Sequence, residues 1–338
     1  MRFLIQVSRP WIDRSLGWYS VVIPLAVDWL KAARRVLHGY ATSETAKNME
    51  PRMFSTAVPH LNAAERAAAD GCTVEEALVF LRRMSLDDFG LLMISLPNKD
   101  YPSLSRLLPA MASDEVQKTW TGASGLDLFR QTSAFARQLE NNFTRYTKAP
   151  LADSDILDFG CGYGRILRMM YYYSNPAKIW GVDAWDKSLD LCREARLPGM
   201  FAQSERIPSA MPVSDQKFDL IFAFSIFTHL APSTARACLA ALRKHIKPEG
   251  LFVATIRPIE FWPFIDGIRR TSVAPKMQAD HRRHGFAYLP HGGVEGETYG
   301  DISCEIDFLR GGGWAVVGHD RSVLDPFQVS VLMRPDPL

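Results

Sequence analysis

The feature that most constrains this chain is the run Ile156, Leu157, Asp158, Phe159, which stops at Gly160, Cys161, Gly162, Tyr163, Gly164 and Arg165 before Ile166 to Tyr172 takes up helical spacing. A short apolar run ending in glycines reads as a buried strand turning sharply into a helix. Glycine serves there because, lacking Cβ, it lets the backbone bend and approach a ligand closely. A dinucleotide fingerprint would place its third glycine at position 165, where this chain has Arg165. Asp158, inside the strand and two residues before Gly160, suits a ligand with a positive charge near the turn, such as an amino-acid ammonium group. Both differences point away from NAD.

Beyond Asp155 short apolar runs alternate with longer amphipathic ones. The spacing predicts strands over Ile156 to Phe159, Lys178 to Val182, Gly199 to Ala202, Phe218 to Phe224 and Leu251 to Ile256. A helix is predicted over Pro232 to Ile246, with Lys247 to Gly250 as the turn into the fifth strand. The end of the chain reads differently. Ile302 to Leu309 is helix-like and stops at Gly311, Gly312 and Gly313, after which Trp314 to Val317 and Phe327 to Met333 alternate as a terminal pair of strands. The expectation is an α/β, doubly wound, seven-stranded sheet with an antiparallel terminal strand.

Upstream, the sequence reads as helical. Residues 39 to 59 are polar and proline-containing, as in a linker. Thr73 and Glu76 form a capping box that opens Val74 to Met84, and Ser85 with Asp88 marks a second helix start. Pro102 to Pro109 reads as irregular, while Ser113 to Gln117 and Leu126 to Tyr146 have helical periodicity. This divides the chain into an α-helical N-terminal extension, residues 1–110, and an α/β domain, residues 111–338. Within the extension, Leu16 to Leu30 is apolar but too short to span a bilayer and is interrupted by Pro24 and Asp28. Residues 16–35 suit either a surface helix packed on the core or an interfacial helix in peripheral membrane contact.

Charge excludes one class of partner: 39 Lys and Arg against 37 acids leave a net charge of +2, so nucleic acid is not expected. The five cysteines are scattered without C-x-x-C or metal-ligand spacing. They suit free thiols in a reducing, cytoplasmic compartment, with no metal site.

The segment ILDFGCGYGRIL resembles the first motif of the class I S-adenosylmethionine-dependent methyltransferases. That resemblance implies a Rossmann-like fold with S-adenosyl-L-methionine as cofactor. It implies that Asp158, Phe159, Gly160, Cys161, Gly162, Gly164 and Arg165 form the methionyl side of the site, with Tyr163 lining the turn. Asp183, closing the second strand, falls at the ribose position, where a carboxylate accepts from vicinal hydroxyls. Ser204 and Glu205 resemble the family's adenine-edge segment, with Ser204 where glycine is usual. Phe218 to Ser225 resemble the family's fourth strand, which ends beside the transferred methyl, implying that Phe224 and Ser225 face the reaction centre; the N/D-P-P-Y sequence of many amine-methylating enzymes is absent. The region of Gln117, Trp120, Thr121 and Gly122 is similar to one that covers the cofactor in related families.

For the acceptor, the implied chemistry is O-methylation of a small-molecule or saccharide hydroxyl. His229 is the candidate base, with packing or helix capping as its other reading. Arg257 to Gly300 is long for a connection and mixes basic and aromatic residues. It reads as an acceptor lid or as a solvated basic loop. An NAD(P)-dependent oxidoreductase and a non-catalytic cofactor-binding scaffold are the competing readings.

Overall fold

The computed structural model describes residues 53–291 and 297–336. Residues 1–52, including the apolar segment 16–35 and most of the expected linker, lie outside the described residues. Among the described residues no helix is long and apolar enough to cross a membrane.

Among the described residues nine strands form two sheets. The main sheet has seven: β1 (Ile156–Phe159), β2 (Ile179–Asp183), β3 (Met200–Gln203), β4 (Phe218–Ala223), β5 (Ile246–Ile256), β8 (Trp314–Arg321) and β9 (Val329–Pro335), in the order β3-β2-β1-β4-β5-β9-β8. The first five run parallel, and β9 pairs antiparallel with both β5 and β8. The strand order reverses at β1, next to β4, so a crevice opens beyond the carboxyl ends of these two strands, where doubly wound sheets bind ligands.

Successive residues of each strand feed opposite layers, as period 2 demands. Ile156, Leu220, Phe222, Leu251, Val253 and Leu332 pack with the helices on one face. Leu157, Phe159, Ile221, Ala223, Phe252, Ala254, Val331 and Met333 pack on the other, against α9 (Pro232–Arg243) with Ala235, Cys238, Leu239 and Leu242.

The first face is covered by the helices that precede the sheet: α1 (Val58–Ala69), α2 (Val74–Leu81), α3 (Leu86–Ser95), α4 (Pro102–Leu107), α5 (Asp114–Thr121) and α6 (Gly125–Thr147). With α7 (Leu167–Met170) and α8 (Asp186–Glu194), all of these but α5 share one continuous apolar cluster, from Leu61 and Leu78 through Phe89 and Phe135 to Met170. The Thr73 and Glu76 capping box forms as expected, Thr73 N donating to Glu76 Oε2 at 2.7 Å. Pro102 to Pro109 is not irregular. Pro102 starts α4, where its missing N–H costs nothing, and the Glu65 carboxylate accepts from the Ser103 and Leu104 amides at 2.7 and 2.9 Å.

Two expectations near the end of the chain are corrected. The helix expected over Ile302 to Leu309 is instead β7 (Gly300–Cys304) followed by a single 3-10 turn, Ile306–Leu309. Every residue of β7 is buried and pairs antiparallel with β6 (Phe286–Pro290), so tertiary pairing overrides the local pattern. The segment after β5 is folded rather than a loop: α10 (Phe261–Arg269), α11 (Ala274–His284) and β6 close around their own core of Phe261, Trp262, Ala274, Met277 and Ala287.

Candidate functional site

The glycine turn after β1 is left-handed at each glycine: φ is +79° at Gly160, +55° at Gly162 and +73° at Gly164. Two of these have a packing reason as well. A Cβ at Gly160 would lie 2.1 Å from Ile226 Cδ1, and one at Gly164 would lie 2.2 Å from Leu197 Cδ2. At Gly162 the nearest atoms are those of the Trp120 ring at 3.9 Å, so this glycine faces space rather than the core. Gly162 N donates to Asp183 Oδ2 at 2.9 Å and Trp185 N donates to Asp183 Oδ1 at the same distance. The turn and the end of β2 are thereby tied into one cradle.

Asp158 sits beneath this cradle, 2% exposed. Burial pushes its carboxyl well above the usual carboxylate range, and the neighbouring Asp183 charge adds to the rise against the opposing pull of Arg165 and the Leu167 amide. Burial also raises Asp183, against the amides of Trp185, Gly162 and Ala184 and the Ser188 hydroxyl. Two buried carboxyls thus flank one turn, both raised chiefly by their burial. Ser204 adds a buried hydroxyl with no hydrogen-bond partner, while its amide donates to Asp183 O at 3.0 Å. Glu205 is turned outward, exposed, and accepts from Ser209 N and Oγ at 3.4 Å.

Phe159 and Cys161 reach the site through their backbone only. The Phe159 side chain packs in the layer with α9, and Cys161 packs in the layer with the N-terminal helices. Arg165 is also turned from the cradle. It is 9% exposed, its Nη1 donates to Gln131 Oε1 at 3.0 Å and Thr132 Oγ1 at 2.7 Å, and its guanidinium lies 5.1 Å from the Phe224 ring centroid. A residue the sequence reading did not single out, Trp185, lies two positions after Asp183. It is 48% exposed and stacks on Trp120 at 4.8 Å and 24°, beside the open face of Gly162.

The end of β4 forms the other wall. Ser225 has φ +60°, a left-handed conformation that a residue with a side chain adopts only when held there. What holds it is Thr255 Oγ1, which accepts from Ser225 N at 2.7 Å, and Gln328, whose Nε2 donates to Ser225 Oγ at 3.0 Å. Phe224 meets Phe135 edge-on at 4.5 Å. Together Gln131, Phe135, Phe224, Asp325 and Gln328 line a narrow crevice of about 10 Å³, room for about one water. Asp325 accepts from Gln131 Nε2 at 2.5 Å, and burial lifts its carboxyl to about 6 against the pull of Arg165, Gln131 and Arg257. Neither Asp325 nor Gln328 carries a sequence signal, since both come from the β8–β9 hairpin, far along the chain.

His229 lies on the same side but both ring nitrogens are committed. A carbonyl only accepts, so Nδ1–H donates to Gly300 O at 2.8 Å; a guanidinium only donates, so Nε2 accepts from Arg257 Nη2 at 3.0 Å. Burial and the Arg257 charge bring the imidazole down to about 3. Arg257 and Arg269 both donate to Asp301, each at 2.5 Å, which is fully buried at its side chain. His229, His291 and Asp301 have ligating atoms within 4.8 Å of one another. The Asp301 carboxylate is already neutralised by two guanidiniums, so this group is an ion-pair knot rather than a cation cage.

Residues 156–250 match the family described as "Methyltransferase domain". A ubiquinone biosynthesis O-methyltransferase from Bartonella bacilliformis is 30% identical over 114 residues, 33% of this chain and 44% of that protein, so the match spans less than half the relative's length. Among solved structures, the PH0226 protein from Pyrococcus horikoshii OT3 aligns with 60% of this chain and 90% of its own at 15% identity and a TM-score of 0.44. An S-adenosylmethionine-dependent methyltransferase from Clostridium acetobutylicum aligns with 59% of this chain and 92% of its own at 14% identity and a TM-score of 0.38.

Proposed function

From the premise that this chain carries a class I S-adenosylmethionine-dependent methyltransferase domain, we propose that it methylates a hydroxyl of a small-molecule or saccharide acceptor. The observation that carries the reading is the pair of buried carboxyls, Asp158 and Asp183, flanking a left-handed glycine turn whose central glycine faces open space. S-adenosylmethionine, when bound, supplies an electrophilic methyl group on a sulfonium.

The chain's own residues supply position and charge. Asp158 and the turn backbone receive the aminoacyl end, Asp183 the ribose hydroxyls, and the buried Ser204 hydroxyl a polar edge of the base. Phe224 and Ser225 close the wall toward the acceptor. His229, with both nitrogens bonded, braces the β4 end against β7 and acts as a positioning residue. Holding two reactants in line accounts for much of the barrier reduction in such a transfer. Arg165, buried against α6 where a dinucleotide fold needs glycine, works against the oxidoreductase reading.

Calorimetric titration with S-adenosylmethionine, S-adenosylhomocysteine and NADH tests this. The expected result is micromolar binding of both adenosyl ligands, weakened at least tenfold in Asp183→Ala, and none of NADH. NADH binding alone would reject the proposal.

A further inference from the structure

Helix α10 is apolar on both sides. Its inner face buries Phe261 and Trp262 in the small core of the segment after β5. Its outer face carries Pro263, Phe264, Gly267 and Ile268, at the spacing of one helix stripe, all exposed and none with a polar side chain. Ile268 alone is 61% exposed. A surface helix ordinarily turns a polar face to water, and one that is apolar all round is ordinarily covered.

The connection between β8 and β9 extends this surface. Phe327 lies against Phe264, 4.4 Å between ring centroids. Just before it the chain reverses in a turn closed by Asp325 N, which donates to Ser322 O at 3.2 Å. That turn places Val323 and Leu324 at its apex, both exposed and Val323 to 83%. Turn apices favour small or polar residues, so two large aliphatic side chains there are out of place in water.

Charge decides what covers the patch. Arg269 and Arg270 follow Ile268, Arg321 precedes the apex, and all three are exposed. Arg269 donates to Asp301, while Arg270 and Arg321 have no ion-pair partner among the described residues. The acids of the same two segments are already engaged. Asp266 accepts from Val273 N at 3.1 Å and Ala274 N at 2.8 Å, Asp320 from Asn142 Nδ2 at 2.8 Å, and Asp325 from Gln131 Nε2. Glu260 stands at the far end of α10, about 12 Å from Ile268 along the helix axis. A second copy of the chain seated here about a twofold axis would set these arginines against their own counterparts, with no free acid in either segment to pair them. An anionic bilayer meets both demands, taking the aliphatic side chains below its headgroups and the arginines at its phosphates.

We propose that the outer face of α10 and the apex of the β8–β9 hairpin dock this protein on an anionic lipid bilayer. Phe264, Ile268, Val323 and Leu324 enter the headgroup layer, and Arg270 and Arg321 meet lipid phosphates. The inference does not depend on which acceptor is methylated.

The test is co-sedimentation of the full chain with vesicles of phosphatidylcholine, alone or with one third phosphatidylglycerol. Each unpaired arginine at the surface favours the anionic vesicles by roughly fivefold, so the protein should bind them at least tenfold more tightly than the neutral ones. Arg270→Gln combined with Arg321→Gln should erase that preference. Val323→Glu combined with Leu324→Glu, and separately Ile268→Glu on the other segment, should each weaken binding at least tenfold. All these positions are exposed, so melting temperatures should stay within about 2 °C of wild type. Wild type that stays in solution with both vesicles overturns the proposal, and so does binding that every variant retains, which would place the membrane contact elsewhere in the chain. A concentration-dependent dimer in sedimentation velocity that Ile268→Glu abolishes would overturn it too, by showing that a second copy covers this face.

Discussion

Arg257 Nη2 donates to His229 Nε2 at 3.0 Å, so a buried guanidinium fixes the protonation state of the histidine that the sequence offered as a base. The same Arg257 holds Asp301 and the Thr228 carbonyl, and Tyr299 stacks on the imidazole at 4.9 Å. The arrangement locks the end of β4 to β7 through one neutral ring.

Replacing His229 should therefore act on stability before chemistry. His229→Ala removes two hydrogen bonds and a ring stack, a loss of about 1 to 3 kcal/mol in urea denaturation. The imidazole is held down at about 3, whereas an unfolded histidine titrates near 6.5. Below pH 6.5 the unfolded chain thus binds a proton that the folded chain refuses. Its contribution is complete above pH 6.5 and should decline by up to ~1.4 kcal/mol per pH unit as pH falls toward 3. Urea midpoints of wild type and His229→Gln at pH 7.5 and 5 would show this as a difference that narrows on acidification.

Asp301 should be among the most sensitive positions in the chain. Burial alone would raise its carboxyl, but Arg257, with Arg269 and His229, draws it down to about 2. Its stabilisation is present above the ordinary carboxylate pKa near 4 and is lost as pH falls through 2. Asp301→Asn leaves Arg257, only 11% exposed at its side chain, without a counter-charge. A loss of about 3 to 5 kcal/mol is expected, checked by denaturation at neutral pH.

The three turn glycines should separate by mechanism. Gly160→Ala drives a methyl into Ile226 and Gly164→Ala drives one into Leu197, so both should lower the melting temperature by several degrees. Gly162→Ala meets no core atom and bears only the cost of its left-handed φ, about 1 kcal/mol. It should fold and yet bind S-adenosylhomocysteine at least tenfold more weakly, because its methyl points at the open face. Paired melting and calorimetry on all three variants would distinguish the roles.

The cradle was legible because it is local. Asp158, the three glycines and Asp183 lie on one strand, one turn and the end of the next strand, so period and glycine chemistry place them without tertiary knowledge. Sequence alone could not choose the face that each flanking residue takes. Ser204 turns in and Glu205 turns out, and Arg165 leaves the cradle for α6, because packing decides orientation. The crevice was illegible for another reason. Gln131, Phe224 and Asp325 come from three distant segments brought together only by the sheet order, and an aspartate in a hairpin reads as a turn residue until burial is known. Trp185 was passed over because a single aromatic after a strand reads equally well as a packing residue.

Asp158, in the proposed cofactor cradle, offers a test that reads stability and ligand binding together. Its folded carboxyl is raised by burial and by Asp183, so between pH 4 and that raised value the folded chain holds a proton that the unfolded chain has lost. The contribution is complete below pH 4 and is lost as pH rises through the folded value, which makes the ligand-free protein less stable at neutral pH than this side chain would otherwise permit. Asp158→Asn removes the burden while keeping the shape. Its ligand-free melting temperature at pH 7.5 should rise by about 2 to 4 °C for each kcal/mol relieved, and the gain should vanish near pH 4. The bound state should move the other way. A cation placed beside Asp158 stabilises the ionised wild type and has no such partner in the variant, so the melting shift on adding S-adenosylmethionine should shrink at pH 7.5. Equal ligand shifts in the two proteins would mean that Asp158 fills the core beneath the turn without contacting the charged end of the ligand.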